Sequence, residues 1–234
     1  MPTKRDPILK FGRNADIDAG TEDVWDGGGV WVAPTTARTH AIKSSAAADA
    51  AAGRGLRTIK VIGLDSTYSL QEETVTLNGT TNVNTANTYT MIHRMYGLTS
   101  GTGYVNAGNI TATAATDNTV TAQISTGEGQ TLMAIYQIPL GYQGYVRRYY
   151  SSAGGVTAAS LMTVRLKTRT LGGPWLVKHA NEIVTTGQNM LIYSFEPFAL
   201  ILGEKDTIKL EGTSGAANMT LSGGFDIELV PILS

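Results

Sequence analysis

The sequence predicts an all-β protein: an antiparallel, jelly-roll-like β-sandwich with an extended N-terminal arm and little or no helix. First, roughly a dozen short segments alternate with period two and are separated by Gly, Pro and Asn turn signals, which is typical of sandwiches. Second, no segment carries a convincing apolar stripe at helical spacing. Third, charged residues make up only 16% of the 234 residues, and Thr, Ser, Asn and Gln supply the remaining polarity. This composition favours hydrogen-bonded β structure over a solvated helical enzyme.

Residues 1–34 are interpreted as an extended docking arm. The stretch from residue 11 to residue 31, FGRNADIDAGTEDVWDGGGVW, shows neither a helical period nor strand alternation. It nevertheless contains Phe11, Trp25 and Trp31, which are large apolar side chains that a free linker would not need. We therefore expect this arm to become ordered by lying on another surface.

Residues 35–129 are predicted to form a first β region, either a small sheet of its own or an insertion on the same sandwich. RTHAIK at 38–43 is its candidate first strand. The alanine-rich segment 44–55 is predicted to be a loop with room for one helical turn, because it is short and has no apolar face. The Asn-Gly pair at 78–79 is the strongest short turn signal in the chain.

Residues 130–234 are predicted to form the jelly-roll-like β-sandwich, since their alternating segments have about the number such a fold needs. The clearest strand is MTVRLKTR at 162–169. Because alternate residues of a strand share a face, its basic residues form one outward row: Arg165, Lys167 and Arg169.

The arm also holds the densest cluster of acids, which suggests a partner for that basic row. Its predicted binding residues are Phe11, Arg13, Asp16, Asp18, Trp25 and Trp31. The hypothesis is that the arm crosses the basic strand of its own chain or of a neighbouring copy. The alternatives are a solvated acidic loop and an irregular calcium site. A regular EF-hand loop is excluded, because Gly20 and Thr21 stand where the fifth and sixth positions need other residues.

Composition excludes several classes of function. A net charge of −1 does not suit a protein built to hold nucleic-acid phosphates. The absence of cysteine removes disulfides, thiol catalysis and thiolate metal sites. No apolar run is long enough to span a membrane, and the N-terminus lacks the apolar core of a secretory signal, so we expect folding in a cytoplasm.

No pattern predicts catalysis or a cofactor. The three histidines, at positions 40, 93 and 179, lie far apart in sequence, whereas a zinc site needs three or four converging ligands. The serine-hydrolase, zinc-protease and P-loop motifs are absent. The sequence therefore predicts a protein that is not an enzyme, with no cofactor and no metal.

Three segments resemble a family of structural proteins of tailed bacteriophages, especially marine and cyanobacterial ones. They are FGRNADIDAGTEDVWDGGG at 11–29, GLDSTYSLQEETVTLNG at 63–79 and GEGQTLMAIYQIPLGYQGYV at 127–146. The last part, GEKDTIKLEGTSGAANMTLSGGFDIELV, looks like the closing strands of a viral β-sandwich. The resemblance implies a head decoration, or cement, protein on the capsid surface. The expected partners are the major capsid protein and other copies of the chain, as a homotrimer.

Two other functions stay open at this point. The same resemblance is compatible with a tail, collar or fibre-base component. A carbohydrate-binding β-sandwich would instead use tyrosines as a platform for sugar rings, and the candidates are Tyr142, Tyr145, Tyr149 and Tyr150.

Overall fold

The computed structural model describes residues 6–155, 160–184 and 189–232, and every regular element in those ranges is a β-strand. The predicted all-β class is therefore confirmed. The chain forms two compact units. The first unit combines Met1–Trp31 with Met133–Ser234, and the second is Val32–Leu132.

The strands are numbered in chain order. They are β1 (Asp6–Ile17), β2 (Glu22–Asp23), β3 (His40–Ser44), β4 (Leu56–Leu64), β5 (Leu70–Thr76), β6 (Val83–Asn84), β7 (Met91–Ser100), β8 (Ile110–Ala114), β9 (Val120–Ile124), β10 (Ile135–Gln137), β11 (Tyr142–Gly154), β12 (Leu161–Arg169), β13 (Leu176–Val184), β14 (Met190–Ser194), β15 (Leu200–Leu202), β16 (Thr207–Ser214) and β17 (Met219–Pro231).

The first unit contains two five-stranded antiparallel sheets. One has the order β1-β17-β11-β14, with β15 also paired to β11, and the other has the order β10-β16-β12-β13, with β2 also paired to β16. We call them the first and the second sheet. Strands β2 and β10 lie end to end on one edge of β16, opposite residues 211–212 and 207–209 respectively. Likewise, β14 and β15 share one edge of β11.

Treating each end-to-end pair as one strand leaves eight strand positions. When these positions are numbered 1 to 8 along the chain, the spatial order of strands is 1-8-3-6 in the first sheet and 2-7-4-5 in the second. This is the strand order of a jelly roll, whose two sheets pack face to face around one core. The core of the unit contains Tyr149, Phe225 and many aliphatic side chains from both sheets.

The second unit is inserted into the second strand position of the jelly roll, because its residues lie between β2 and β10 in the chain. It has two small sheets, with orders β6-β3-β8-β9 and β5-β4-β7, and a separate apolar core. Its limits, 32 and 132, lie close to the predicted 35 and 129. The N-terminal residues differ more, since they group with the C-terminal half instead of forming a region of their own.

The stretch that was expected to lack regular structure contains most of a twelve-residue strand, β1. This strand pairs with the last strand, β17, from Asp6 to Asn14 and again at Ile17. Sequence alternation missed it because its buried row is polar: Lys10, Gly12 and Asn14. At Gly12 the backbone passes so close that a Cβ atom would lie 2.3 Å from the carbonyl oxygen of Val24.

The alanine-rich segment of the second unit is a series of turns, as predicted, and a buried carboxylate organises it. Asp49 is fully buried and accepts four hydrogen bonds. The donors are the hydroxyl of Ser44 at 2.6 Å and the backbone N–H groups of Leu56, Ala107 and Gly108 at 2.9, 2.9 and 3.0 Å. One side chain thus joins three separate parts of the chain.

His40 is expected to make the stability of the second unit dependent on pH. Its side chain is fully buried, and burial lowers its pKa to about 4 although Nδ1 lies 3.0 Å from the carbonyl oxygen of Arg38. Nε2 has no hydrogen-bond partner in the described part of the chain. The unfolded chain takes up this proton near pH 6.5, whereas the folded chain does so only near pH 4. Stability should therefore fall as the pH drops through this window.

We expect this loss to reach at most about 3 kcal/mol by pH 4, because one pKa unit corresponds to about 1.4 kcal/mol. Urea unfolding of the wild type and of His40→Gln at several pH values between 7 and 4 measures it. The variant should lose less stability over that range, since the carboxylates contribute equally to both proteins. Identical pH dependence in the two proteins would contradict the assignment to His40.

Candidate docking surface

The tryptophans of the predicted arm are buried within the described chain. Trp25 is 5% exposed and Trp31 is 7% exposed. The indole N–H of Trp25 donates to the carbonyl oxygen of Gly29 at 3.2 Å, and the backbone N–H of Trp31 donates to the Asp23 carboxylate at 2.9 Å. These two anchors are therefore already covered in a single copy and present little surface to a partner.

The run of three glycines turns the chain over the Trp25 ring. A Cβ atom on Gly27 would lie only 2.2 Å from that ring, so no larger residue fits there. Gly28 and Gly29 have positive φ angles of 69° and 62°, which glycine adopts without a steric penalty. The glycines thus serve a compact turn, and not the loose hinge that a free arm would need.

Polar side chains hold this turn to strand β1. The buried amide of Asn14 donates to the Glu22 carboxylate at 3.0 Å and to the carbonyl oxygen of Asp23 at 3.1 Å. The same carboxylate accepts from the backbone N–H of Gly29 at 3.0 Å. Glu22 and Asp23 are therefore used for internal contacts, because Glu22 accepts these hydrogen bonds and Asp23 also pairs with a lysine.

A chain of alternating charges crosses the outer face of the second sheet, and we call it the charge row. Lys209 lies 2.6 Å from Asp23 and 3.3 Å from Glu211, and Glu211 lies 2.6 Å from Lys167. The side chains of Asp23, Glu211 and Lys209 are only 1%, 3% and 8% exposed. Burial raises the pKa of Asp23, and the nearby ammonium of Lys209 opposes that shift.

The predicted basic strand lies on this face, but its contacts differ from the hypothesis. Lys167 pairs with Glu211, Arg165 donates to the Thr213 hydroxyl at 3.0 Å, and Arg169 lies 4.6 Å from the centre of the Trp175 ring. No described contact joins these three residues to Asp16 or Asp18. Asp16 is exposed, and Asp18 accepts a hydrogen bond from the backbone N–H of Asn218 at 2.9 Å.

The hypothesis did not name the residues that pair with each other on this face. Asp23 does pair with a lysine on the second sheet, but that lysine is Lys209 of β16, one strand away from β12. The segment TIKLE carries the signal, because Lys209 and Glu211 are two residues apart and share a face. Their burial could not be inferred without knowing that β2 lies beside β16.

The accessible part of the predicted arm belongs to the outward face of the first sheet, which we call the docking face. On β1, the outward row is Pro7, Leu9, Phe11 and Arg13, of which Leu9 is 58% exposed, Arg13 is exposed and Phe11 is half-buried. On the edge opposite β1, three apolar side chains of β14 and β15 are more than half exposed: Met190, Ile192 and Ile201.

Ion pairs neutralise the centre of the docking face. Arg148 lies 2.5 Å from Asp226, and Arg147 pairs with Glu228 and, at 3.8 Å, with Glu196. Beside them is a shallow groove of about 280 Å³, whose lining includes Leu9, Arg147, Asp226 and Glu228. A face with exposed apolar residues on both sides of paired charges suits protein contact. The apolar residues lose water on binding, and the charges of the ion pairs keep their partners.

The Tyr149 side chain is used inside the jelly roll. It is fully buried and lies 2.5 Å from both the His179 ring nitrogen and the Asn181 amide. Burial raises the pKa of Tyr149 to about 12, so the phenol is neutral at physiological pH. The group connects β11 to β13 of the facing sheet, and a fully buried ring cannot form part of a sugar-binding platform.

In the ranges that the structure describes, no three or more His, Asp and Glu side chains converge as metal ligands would. The same ranges hold no helix that is long and apolar enough to cross a membrane.

No family model and no curated protein matches the chain. Solved structures with some similarity include the mosquito-larvicidal Cry4Aa toxin from Bacillus thuringiensis, at 12% identity and a TM-score of 0.22. The match covers 77% of this chain and 43% of the toxin chain. Infectious bursal disease virus Gt strain gives 12% identity, a TM-score of 0.26 and coverage of 98% and 72% of the two chains. The STIV MCP is 10% identical to the chain, with a TM-score of 0.25. The match covers 96% of this chain and 98% of that chain. These TM-scores are too low to support an argument, so the jelly-roll assignment rests on strand order alone.

Proposed function

We propose that the chain is a non-enzymatic structural protein of a virus particle, and more specifically a decoration protein on the head of a tailed bacteriophage. The observation that supports this most is the jelly-roll strand order of the first unit, because capsid proteins use this architecture repeatedly. Lectins use it too, and a fold alone does not define a function. The resemblance to phage structural proteins favours a role in a virus particle over carbohydrate binding. It covers residues 11–29, 63–79 and 127–146.

In this proposal the docking face contacts the major capsid protein. Leu9 and Phe11 supply apolar area, and Arg13 supplies a charge at one end of the row. Phe11 and Arg13 were predicted as binding residues, whereas Trp25 and Trp31 now have structural roles. The chain also binds other copies of itself, as the homotrimer that the resemblance implies. The protein is located on the capsid surface after assembly in the host cytoplasm.

Co-sedimentation with expanded phage capsids tests the docking face. Deleting the N-terminal residues would be uninformative, because β1 and β2 are strands of the jelly roll, so point variants are required. We expect Leu9→Asp and Arg13→Glu each to weaken binding about tenfold or more, which corresponds to about 1.4 kcal/mol of binding free energy. Leu98→Asp, at a 43% exposed leucine of the second unit, is the matched control and should bind like the wild type.

Copy number in purified particles separates the head from the tail. On the order of hundreds of copies would support a capsid decoration protein, because symmetric shells repeat their parts many times. Tens of copies or fewer would support a tail, collar or fibre-base component instead. Absence from particles, together with glycan binding, would overturn the structural proposal.

A further inference from the structure

We propose that the edge strand β13 pairs with β13 of a second copy of the chain across a two-fold axis. Strand β13 is hydrogen-bonded to β12 on one side, and no described strand lies on its other side. In an antiparallel pair, alternate residues direct their N–H and C=O groups towards the neighbour, so about half of those on β13 point outward. A nine-residue strand of this kind can accept another chain.

Three apolar side chains of the edge strand β13 are about half exposed. Leu176, Val177 and Val184 are 52%, 51% and 47% exposed. Proteins usually shield their sheet edges with charges, prolines or short strands. Exposed apolar residues on an unpaired edge are therefore evidence that another surface covers it.

The sequence of β13, LVKHANEIV, is complementary to itself in the antiparallel sense. If two copies meet with Ala180 opposite Ala180, Lys178 of each copy lies opposite Glu182 of the other. His179 then lies opposite Asn181, and the exposed Val184 of each copy lies near the exposed Leu176 and Val177 of the other. Opposite charges facing each other across two strands stabilise the pair, and like charges destabilise it.

An irregularity in the strand makes this pairing selective. The register with β12 shifts between Leu166 and Lys167, which leaves Lys178 without a partner on β12. A lysine at a bulge on an edge discourages pairing with unrelated strands. A second β13 places Glu182 opposite that lysine. Lys178 therefore disfavours pairing with unrelated strands but meets an opposite charge on another copy of β13.

The neighbouring edge of the jelly roll is apolar as well. The ring of His179 on β13 lies 3.8 Å from the ring of Tyr193 on β14, which places these two edge strands along one side of the unit. On β14, Met190 is 69% exposed and Ile192 is 55% exposed. A second copy seated on β13 would adjoin these residues. This contact is two-fold, so it is separate from the three-fold trimer suggested above and does not depend on the proposed function.

Charge reversal tests the pairing. Light scattering of the wild type should give twice the monomer mass of 24.8 kDa, or an even multiple of it. Lys178→Glu and Glu182→Lys should each raise the dissociation constant at least tenfold, because each places like charges opposite each other twice. The double variant carrying both changes restores the match and should associate like the wild type. Lys43→Glu, at an exposed lysine of the second unit, is the control for net charge and should not change the mass.

Cross-linking tests the register independently. Since the chain has no cysteine, Ala180→Cys introduces a single thiol at the proposed axis, where two copies should form a disulfide under mild oxidation. Val184→Cys lies on the same strand, but its two thiols would be about 26 Å apart, from eight residues at about 3.3 Å each. A monomeric wild type at high concentration, a double variant that does not recover, or equal cross-linking at 180 and 184 would overturn the proposal. A dimer insensitive to all these changes would mean that another surface joins the copies.

Discussion

Replacing Lys209 with methionine is expected to destabilise the jelly-roll unit by about 3–5 kcal/mol, because it leaves the buried Asp23 carboxylate without its counter-charge, while Glu211 keeps only Lys167. Lys209 lies 2.6 Å from Asp23 and 3.3 Å from Glu211, and all three side chains are at most 8% exposed. Methionine fills similar space, so lost packing contributes little. The three tryptophans, at positions 25, 31 and 175, all belong to the first unit, so tryptophan fluorescence during urea unfolding reports on it directly.

The pH dependence of this loss distinguishes charge from packing. Burial already raises the pKa of Asp23, and removing the lysine raises it further. As the pH falls, Asp23 takes up a proton and the unpaired charge disappears, so the difference between Lys209→Met and wild type should shrink. Lys167→Met is the matched control, because Lys167 is 21% exposed and pairs only with Glu211 among the described ion pairs. An equal loss for both lysines, or a loss independent of pH, would contradict the role of Lys209.

Replacing Asp49 with alanine should destabilise the second unit by a similar amount, about 3–5 kcal/mol. The change removes the acceptor of four hydrogen bonds and leaves backbone donors of Leu56, Ala107 and Gly108 without it in a buried site. Each unsatisfied buried group costs about 1–3 kcal/mol, and entering water recovers part of that cost. Hydrogen exchange of residues 56–64, followed by mass spectrometry, measures the stability of this unit without interference from the tryptophans.

A second aspartate provides the control for Asp49. Asp65 accepts three hydrogen bonds, from the N–H and hydroxyl of Thr67 and the N–H of Ser69, but it lies in an exposed turn. Asp65→Ala should therefore cost about 1 kcal/mol or less, since water can replace the lost acceptor. If the two variants were equally stable, the burial of Asp49 would not be the cause of its importance.

The sequence predicts much of this fold because most strands follow the expected alternation. MTVRLKTR at 162–169 becomes β12, with Met162, Val164 and Leu166 buried. The Asn-Gly pair at 78–79 forms a turn, with Gly79 at a φ of 60°. These local signals predict strands correctly because one face of each strand is buried and the other is exposed to solvent.

The N-terminal strand could not be predicted, because its identity depends on residues far away in the chain. Its inward side chains include Lys10 and Asn14, and such a polar row gives no apolar period. Asn14 is acceptable there only because the turn at 22–23 supplies its partners. Strand position two is also interrupted by about a hundred residues of the second unit, so its halves are not recognisable as one strand.

For the candidate site, the sequence shows the charges but not which charged side chains pair. The acidic arm and the basic strand both belong to the second sheet's outer side through Asp23 and Lys167, yet Lys209 and Glu211 stand between them. Residue charges can be read from the sequence, whereas partners are set by which strands are neighbours. The same limit applies to Trp25 and Trp31, whose size suggested partner anchors and whose burial assigns them to the chain's own fold.

The N-terminal stretch is the first strand of the jelly roll, paired along its length with β17. Amide hydrogen exchange of residues 8–14 in the intact protein tests this most directly. Those amides that bond to β17 should be protected to nearly the same extent as the amides of β17 itself, because both exchange only when the sheet opens. Rapid exchange of residues 8–14 within a protected remainder would mean a free arm and would contradict the account.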